Sequence, residues 1–440
     1  MFKKVLVATR GTAALRIVRT CRELGIKSVV PYSEVDRYGL PVLLADEAVC
    51  IGPAPAADSY ANVSRLLAAA EVTGCDALHP GWGFLASDPE FCDATINSGI
   101  VFVGPAPDTL RLLQDRLAVR QLLKSAGIAV VPGSDGPITG PQQAVAEVEK
   151  LGLPAVVKPV AGSLRCARLI TREKDVEYQV RMCQAETRAQ TGSEQVYLER
   201  HLPSARPVDV LMIDGQPVGE WEAGFYYRQR EIIAFSPANI SAKVRARIYR
   251  WARRVLAELG FNGSATVRFL IDEDESPYLF GVNCELSPLH PLAEIGTGID
   301  IVAEQFRIAA GAGGPQGVPV FGGGSFAAVI YAEDPDADFE PSPGVVTDLI
   351  LPAGPNIRVE SHLYPGAVIS ADYDLQVAAV FSRGDGFETG RRRLLRALAE
   401  LRVGNVKTNL ELVLAALRHP GLGKPGGVKG PEQSSAQFFA

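Results

Sequence analysis

Short apolar runs alternate with helical stretches through the first quarter of the chain. The runs that predict strands are Val5–Ala8, Ser28–Tyr32, Ala48–Ile51, Ala77–Leu78 and Ile100–Val103. Helical stretches such as Ala13–Leu24 and Val63–Thr73 separate them. This alternation indicates a parallel sheet covered by helices on both faces, and therefore an α/β fold class with α+β character further along. Gly11 lets the chain turn from the first strand into a helix, but one glycine is not a dinucleotide fingerprint.

The middle of the chain has a different pattern. Helices continue to about residue 127, and turn residues at 130–137 predict a hinge. Strands are predicted at Ala155–Lys158, Gln195–Glu199, Val208–Ile213 and Val218–Glu222, with the last two joined by Asp214-Gly215 as a hairpin. Residues 241–259 form an amphipathic helix with a basic solvated face. We expect a sheet with this helix lying on it.

The last quarter combines strands with Gly-rich segments. Residues 311–324 predict a loop, short strands follow through Val380, and an Arg-rich amphipathic helix covers Arg391–Leu401. The final stretch, 421–440, is rich in Gly, Pro, Ser and Gln and has little to bury, so we expect a disordered tail.

Composition excludes several classes of protein. The chain has 440 residues, 47% of them apolar, and a formal net charge of −6, which favours a multidomain globular protein and disfavours nucleic acid as a partner. Its seven cysteines are scattered, which indicates buried apolar residues of a protein in a reducing compartment. Neither a membrane span nor a signal-peptide core is recognisable, so we expect a cytoplasmic protein.

Several sequence blocks resemble the biotin carboxylase family. They run in family order from residue 3 to about 419. The blocks are Ala8–Gly11, Leu44–Glu47, Ile51–Pro55, His79–Leu85, Val131–Pro137, Ala332–Pro335, Pro341–Gly344, Glu360–His362 and Val406–Asn409. The resemblance implies an ATP-grasp fold with an N-terminal preATP-grasp domain (1–112), linker helices (113–137), a lid (138–202), a central domain (203–310), a C-terminal domain (311–420) and the tail (421–440).

The resemblance also implies a reaction. Family members form carboxyphosphate from ATP and bicarbonate and transfer the carboxyl group to biotin on a carrier protein. Such phosphoryl transfer needs cations on the phosphates, carboxylates on metal ions and a positive pocket for bicarbonate. The resemblance therefore predicts a particular residue type at each matching position of this chain.

Many catalytic positions carry the wrong residue type. The phosphate loop of the lid is shortened and has a single glycine, Gly162. At the two positions where the family has metal-binding glutamates, this chain has Arg268 and Gly281. At the position of the lysine that contacts phosphate and bicarbonate, it has Glu231. Glu285 stands in place of the arginine that binds bicarbonate, and Leu289 stands in place of the general base. Val329 stands in place of the arginine that binds biotin. We expect Arg268 to pair with Glu231 or Glu285 in a neutralised cleft.

Other positions match the family. The resemblance assigns a residual nucleotide site to Arg116, Lys158, Glu199, Arg200, Leu202 and Asn283. It assigns a two-fold dimer interface to Arg16, Arg19, Glu23 and Arg358, and it places Trp82 near biotin. A solvated helix face and a strand-end lysine are the plainer alternatives for these residues.

Three functions remain open from the sequence. The first is an inactive subunit of an acetyl- or propionyl-CoA carboxylase type system in fatty acid metabolism, paired as a homodimer or with an active biotin carboxylase and meeting the carrier and carboxyltransferase subunits. The second is an active biotin carboxylase with a rearranged site, and the third is an ATP-grasp ligase with another substrate. For the first, we expect no tightly bound cofactor, weak ATP binding, no magnesium at the family site and no covalent biotin on this chain.

Overall fold

The computed structural model of the chain describes residues 1–227, 230–315, 317, 322–424 and 428–429. The first region forms a five-stranded parallel sheet in the order β3-β2-β1-β4-β5. Its elements are β1 (Lys4–Val7), α1 (Gly11–Glu23), β2 (Lys27–Ser33), α2 (Leu40–Leu44), β3 (Glu47–Gly52), α3 (Val63–Thr73), β4 (Ala77–His79), α4 (Pro89–Asn97) and β5 (Val101–Phe102). The predicted α/β class and parallel sheet are confirmed.

Two linker helices and a small lid follow. The lid has a three-stranded sheet in the order β7-β6-β8, in which β6 runs antiparallel to both neighbours. The elements are α5 (Pro107–Gln114), α6 (Arg116–Ser125), α7 (Pro141–Leu151), β6 (Ala155–Pro159), β7 (Arg168–Ile170), α8 (Val176–Thr191) and β8 (Val196–Arg200). Asp115 caps α6 by accepting a hydrogen bond from the Ala118 backbone N–H, which fixes where this helix begins.

The central region supplies five strands of a large sheet and the helices on it. These elements are β9 (Arg206–Ile213), β10 (Gln216–Tyr227), β11 (Arg230–Ser236), α9 (Ala242–Glu258), β12 (Ser264–Ile271), β13 (Pro277–Asn283), α10 (His290–Thr297) and α11 (Ile301–Ala309). The Asp214-Gly215 hairpin is present, and both of its residues have positive φ, as the tight turn requires. Ser241 caps α9, whose apolar stripe packs on the sheet.

The C-terminal strands extend the same sheet. The elements are β14 (Gly324–Tyr331), β15 (Glu333–Asp334), β16 (Glu340–Pro341), β17 (Gly344–Val345), β18 (Leu349–Ile350), β19 (Ile357–Glu360), β20 (Val368–Ile369), β21 (Gln376–Gly384), α12 (Phe387–Glu400), β22 (Arg402–Val403), α13 (Leu410–Arg418) and β23 (Val428–Lys429). In the described residues the large sheet runs β13-β12-β9-β10-β11-β14-β21-β19, with β23 pairing β10. Apart from β23, the tail beyond residue 424 and most of 316–321 lie outside the described residues.

The sequence underestimates the length of β14 and β21. They span eight and nine residues and lie in the core, where Val329 and Ala379 face each other in register. The main core lies between this part of the large sheet, helices α10 to α13 and helix α1 of the first domain. One continuous core therefore connects the first and last regions and fixes the central sheet beneath the lid.

Candidate functional site

A cavity of about 370 Å³ lies between the lid and the central sheet. Strands β6 and β8 form one wall, helix α6 forms a second, and β12 and β13 form the floor. Among its described lining residues are four cations, Arg116, Arg120, Lys158 and Arg268, and two carboxylates, Glu199 and Asp209. The cavity therefore carries excess positive charge, which favours an anionic ligand.

The lid wall contains a buried charge cluster. Lys158 and Glu199 lie on neighbouring antiparallel strands, and the Lys158 Nζ donates to Glu199 Oε2 at 2.5 Å. Arg120, from α6, donates to the other carboxylate oxygen at 2.6 Å. Burial lowers the pKa of Lys158, although Glu199 acts in the opposite direction. The Lys158 Nζ also lies 4.4 Å from the centroid of the Phe280 ring, so an aromatic face closes this end of the cavity.

Arg116 stands at the first position of α6. Its Nη1 and Nη2 donate to the carbonyl oxygens of Pro159 and Gly162, at 3.2 and 2.6 Å. Gly162 has φ +85°, and an added Cβ would meet Thr191 Cγ2 at 2.5 Å, so only glycine fits where the lid turns toward this arginine. Arg116 makes no ion pair with a carboxylate in the described part of the chain, and its charge is available to a ligand.

The floor contains a second charge cluster. Arg268 Nε and Nη2 donate to the two oxygens of Asp209, at 2.7 and 2.5 Å, and Nη2 also donates to Glu231 Oε2 at 2.9 Å. The hydroxyl of Tyr226 donates to the same Glu231 oxygen at 3.3 Å. Burial raises the pKa of Glu231 to about 8, against the attraction of Arg268 and with the repulsion of Asp209. The carboxyl groups of Asp209 and Glu231 thus share one guanidinium.

The expected pair between Arg268 and Glu231 is therefore present. Glu285 has a different partner, because its Oε2 accepts from the Gly83 backbone N–H at 2.8 Å. Burial raises the pKa of Glu285, opposed by that hydrogen bond. Gly281 lies opposite Arg268 in register. Leu289 and Val329 belong to the main hydrophobic core, not to the described lining of the cavity.

Of the remaining predicted nucleotide residues, Asn283 lines the cavity, whereas Arg200 and Leu202 do not belong to its described lining. Asn283 is exposed, and its Oδ1 accepts from the Glu285 backbone N–H at 2.9 Å. Arg200 is exposed at the end of β8, where its backbone N–H donates to Pro132. Leu202 packs against a small apolar cluster beside the lid. Of the six predicted residues, Arg116, Lys158, Glu199 and Asn283 line the cavity.

The predicted interface residues lie around α1. Arg16 is buried and bound within the chain to Glu294 and Asp300, at 2.9 and 2.8 Å. Arg358 also contacts Glu294, at 2.6 Å. The Arg19 side chain is 46% exposed, and Glu23 is exposed, so these two can meet a second chain. Trp82, the predicted biotin neighbour, is half-buried against the main core.

Asp209, Arg120 and Thr266 are site residues that sequence reasoning missed. Asp209 is a lone carboxylate inside the apolar run of β9, and this contrast was the signal available for it. Arg120 lies on an amphipathic helix where a basic residue is expected to face solvent, and Thr266 is of a type common in strands, so neither gave a signal. Only the folded arrangement brings them to the cavity.

The carboxylates of the cavity offer few open positions to a magnesium ion. Both oxygens of Asp209 accept from Arg268, and both oxygens of Glu199 accept from Arg120 and Lys158. Within the described residues, no group of three or more His, Cys, Asp or Glu side chains could hold a metal ion. No helix in the described part of the chain is long and apolar enough to cross a membrane.

A lid sheet that closes over a central antiparallel sheet, with cations on both sides of the cavity, defines the ATP-grasp class. Family models for the biotin carboxylase N-terminal domain, the carbamoyl-phosphate synthase L chain ATP-binding domain and the biotin carboxylase C-terminal domain match residues 1–110, 115–315 and 327–425. The chain belongs to the biotin carboxylase family, as its sequence blocks predicted.

Individual relatives agree with this assignment. Biotin carboxylases of Haemophilus influenzae and Pseudomonas aeruginosa are each 38% identical to the chain, and each match covers 94% of both proteins. A solved Campylobacter jejuni biotin carboxylase, a β,γ-ATP complex, is 32% identical, covers 96% of both chains and has a TM-score of 0.93. The biotin carboxylase domain dimer of Hydrogenobacter thermophilus 2-oxoglutarate carboxylase is 31% identical, covers 96% of this chain and 94% of that one, and has a TM-score of 0.91.

These structures correct our expectation about cofactors. The Hydrogenobacter domain was solved with MgADP, ADP and bicarbonate, and the Campylobacter enzyme with an ATP complex. The expectation of no tightly bound cofactor, weak ATP binding and no magnesium at the family site is therefore wrong. The positive charge that Arg116, Arg120, Lys158 and Arg268 together give the cavity suits the phosphates of a nucleotide, and magnesium is commonly held in large part by such phosphates and by water.

The lid-wall cluster can be tested by substitution. Glu199→Gln keeps one acceptor but removes the negative charge between Lys158 and Arg120, so the free energy of unfolding should fall by about 2 kcal/mol. Chemical denaturation at pH 7 measures this fall. Glu71→Gln, at an exposed position of α3, is the matched control. An unchanged stability for Glu199→Gln would show that the cluster does not stabilise the lid wall.

Proposed function

We propose that the protein binds an adenine nucleotide in this cavity and serves a biotin-dependent acyl-CoA carboxylase as a structural or regulatory subunit, without itself carboxylating biotin. The observation that carries the proposal is the Arg268 cluster, where a guanidinium bound to Asp209 and Glu231 occupies the floor. Nucleotide binding is supported by Arg116 and Lys158 and by the nucleotide complexes of the relatives.

The absence of carboxylation is argued from the chemistry of bicarbonate. Removing its proton requires a base, and holding it requires a cation. At the positions where the resemblance places these groups, the chain has Leu289, buried in the core, and Glu285, a carboxylate with a raised pKa. Neither the proton acceptor nor the positive charge is supplied there.

A second candidate is an active biotin carboxylase with a rearranged site. It is favoured by the 38% identity to proteins of that name over nearly the whole chain and by the bicarbonate complex of the Hydrogenobacter domain. For this candidate, another residue in the cavity or directly behind its lining must act as the base. Glu231 is the carboxylate whose raised pKa suits that task best.

The partner is part of the proposal. The Hydrogenobacter relative was solved as a domain dimer. We propose that this chain forms a dimer through the exposed residues Arg19 and Glu23, either with a second copy of itself or with an active biotin carboxylase. Arg16 and Arg358 then stabilise that surface through their ion pairs within the chain. Trp82 is then a position at which a carrier's biotin arm can dock. Co-purification from the native cell followed by mass spectrometry identifies the partner, and recovery of neither an active carboxylase nor a biotinylated carrier contradicts this part.

A bicarbonate-dependent ADP-release assay with free biotin distinguishes the two candidates. We expect a rate at least ~10⁴-fold below that of the Haemophilus relative measured in parallel, since the loss of single catalytic groups typically costs ~10²-fold. A thermal shift with ADP and Mg²⁺ on the same preparation shows that the protein is folded and binds nucleotide. Bicarbonate-dependent turnover that disappears in Lys158→Met would establish the active enzyme instead.

A further inference from the structure

The floor of the cavity has open space beside an accessible guanidinium. Gly281 lies opposite Arg268 on the neighbouring strand, so the two residues share a face of the sheet. An added Cβ at Gly281 would meet no heavy atom within 4 Å. Where the family pattern predicts a side chain, this chain therefore has a gap next to a cation.

Arg268 is only partly used by its carboxylate partners. Nε and Nη2 carry its hydrogen bonds to Asp209 and Glu231, while Nη1 makes none with the described residues. The side chain is 33% exposed and lines the cavity. Two hydrogen bonds to Asp209 fix the orientation of the guanidinium, so Nη1 is already oriented before a ligand binds.

Thr266 supplies a second polar group on the same face. It lies two residues before Arg268 on β12 and lines the same cavity. Its residue is 5% exposed, and its Oγ1 has no hydrogen-bond partner in the part of the chain that the structure describes. A buried hydroxyl without a partner is costly, and a ligand oxygen over Gly281 would satisfy it.

We propose that Arg268, Thr266 and the space above Gly281 form a subsite for a phosphate group, which receives the terminal phosphate of the bound nucleotide. The inference rests on the proposed nucleotide binding and adds a residue that contacts the phosphate. Arg116 on the facing wall brings a second cation to the same cavity, so the phosphate lies between two guanidinium groups. Arginine matches phosphate oxygens in charge and geometry.

Filling the gap tests the subsite without touching a charged group. Gly281→Leu places a side chain in the open space, and Gly136→Leu, at a turn where an added Cβ also meets nothing within 4 Å, is the matched control. Isothermal titration with ADP, adenosine and inorganic phosphate is carried out with MgCl₂ present and repeated without it. Gly281→Leu should weaken ADP and phosphate binding about tenfold or more, since it removes a charge-assisted contact, and leave adenosine binding unchanged.

Each outcome bears on one of the two proposals. If Gly281→Leu binds ADP and phosphate like the wild type, the subsite does not exist. If the wild type binds neither adenosine nor ADP, nucleotide binding fails, and phosphate binding that Gly281→Leu weakens still supports the subsite. Thr266→Val, which keeps the side-chain shape, should weaken phosphate binding to a smaller extent. Equal losses in Gly281→Leu and Gly136→Leu would overturn the assignment to the floor.

Discussion

Replacing Glu294 by glutamine is expected to lower the free energy of unfolding by about 3–5 kcal/mol at pH 7, because it breaks a buried ion cluster from its centre. The Glu294 carboxylate accepts from Arg16 Nη2 at 2.9 Å and from the Ile301 backbone N–H at 2.8 Å, and it lies 2.6 Å from Arg358 Nη1. Its side chain is 4% exposed. The substitution leaves two arginines without their shared carboxylate.

The effect should depend on pH in a defined direction. Burial alone would raise the pKa of Glu294, but attraction to His290 in its protonated form, to Arg16 and to Arg358 outweighs burial and lowers that pKa to about 2. A carboxyl with a lowered pKa in the folded state stabilises the protein above its unfolded pKa, and that stability is lost as the pH falls through the folded value. The wild type should therefore lose its advantage over Glu294→Gln between about pH 4.5 and pH 2.

Urea denaturation at several pH values measures this difference. The matched control is Glu71→Gln on the exposed face of α3, where no buried partner is lost. A Glu294→Gln variant as stable as the wild type at pH 7 would contradict the argument. Because the cluster joins α1, α10 and β19, the same variant should also weaken any dimer formed through Arg19 and Glu23.

Local patterns predicted much of the fold. The parallel sheet of the first domain follows from apolar runs separated by helices, and the Asp214-Gly215 hairpin follows from turn chemistry. The full length of β14 and β21 did not follow, because their pairing partners come from distant parts of the chain. Pairing across such distances leaves little signal in a single stretch of sequence.

The candidate site shows the same limit. Comparing residue types at matching positions predicted that Arg268 would meet Glu231 or Glu285, and the structure shows the pair with Glu231. It could not show that Asp209 would take two of the guanidinium's hydrogen bonds, since this contact depends on the register of β9 and β12. The cofactor expectation failed for a related reason. The affinity of a cavity for a nucleotide depends on all its charges together, and its four cations come from α6, β6 and β12, which lie far apart in the sequence.

Glu231 provides the second large effect, on the pH dependence of the free energy of unfolding, and its direction is opposite to that of Glu294. Its carboxyl group and that of Asp209 share the Arg268 guanidinium, and the Tyr226 hydroxyl also donates to Glu231. Burial raises the pKa of Glu231 from its ordinary value to about 8. The folded protein thus holds a proton that the unfolded chain releases at lower pH, so the free energy of unfolding falls as pH rises from about 4.5 to 8.

Glu231→Gln should remove this dependence. The glutamine stays neutral, so the difference in unfolding free energy between variant and wild type should change in favour of the variant by about 4 kcal/mol between pH 5 and pH 9. Taking the difference cancels the pH dependence of other buried carboxyls, among them Glu285 and Glu294. A difference that stays constant across this range would show that Glu231 is ionised at pH 5 in the folded protein. Arg268 would then face two ionised carboxylates at neutral pH, and its attraction for a phosphate would be correspondingly reduced.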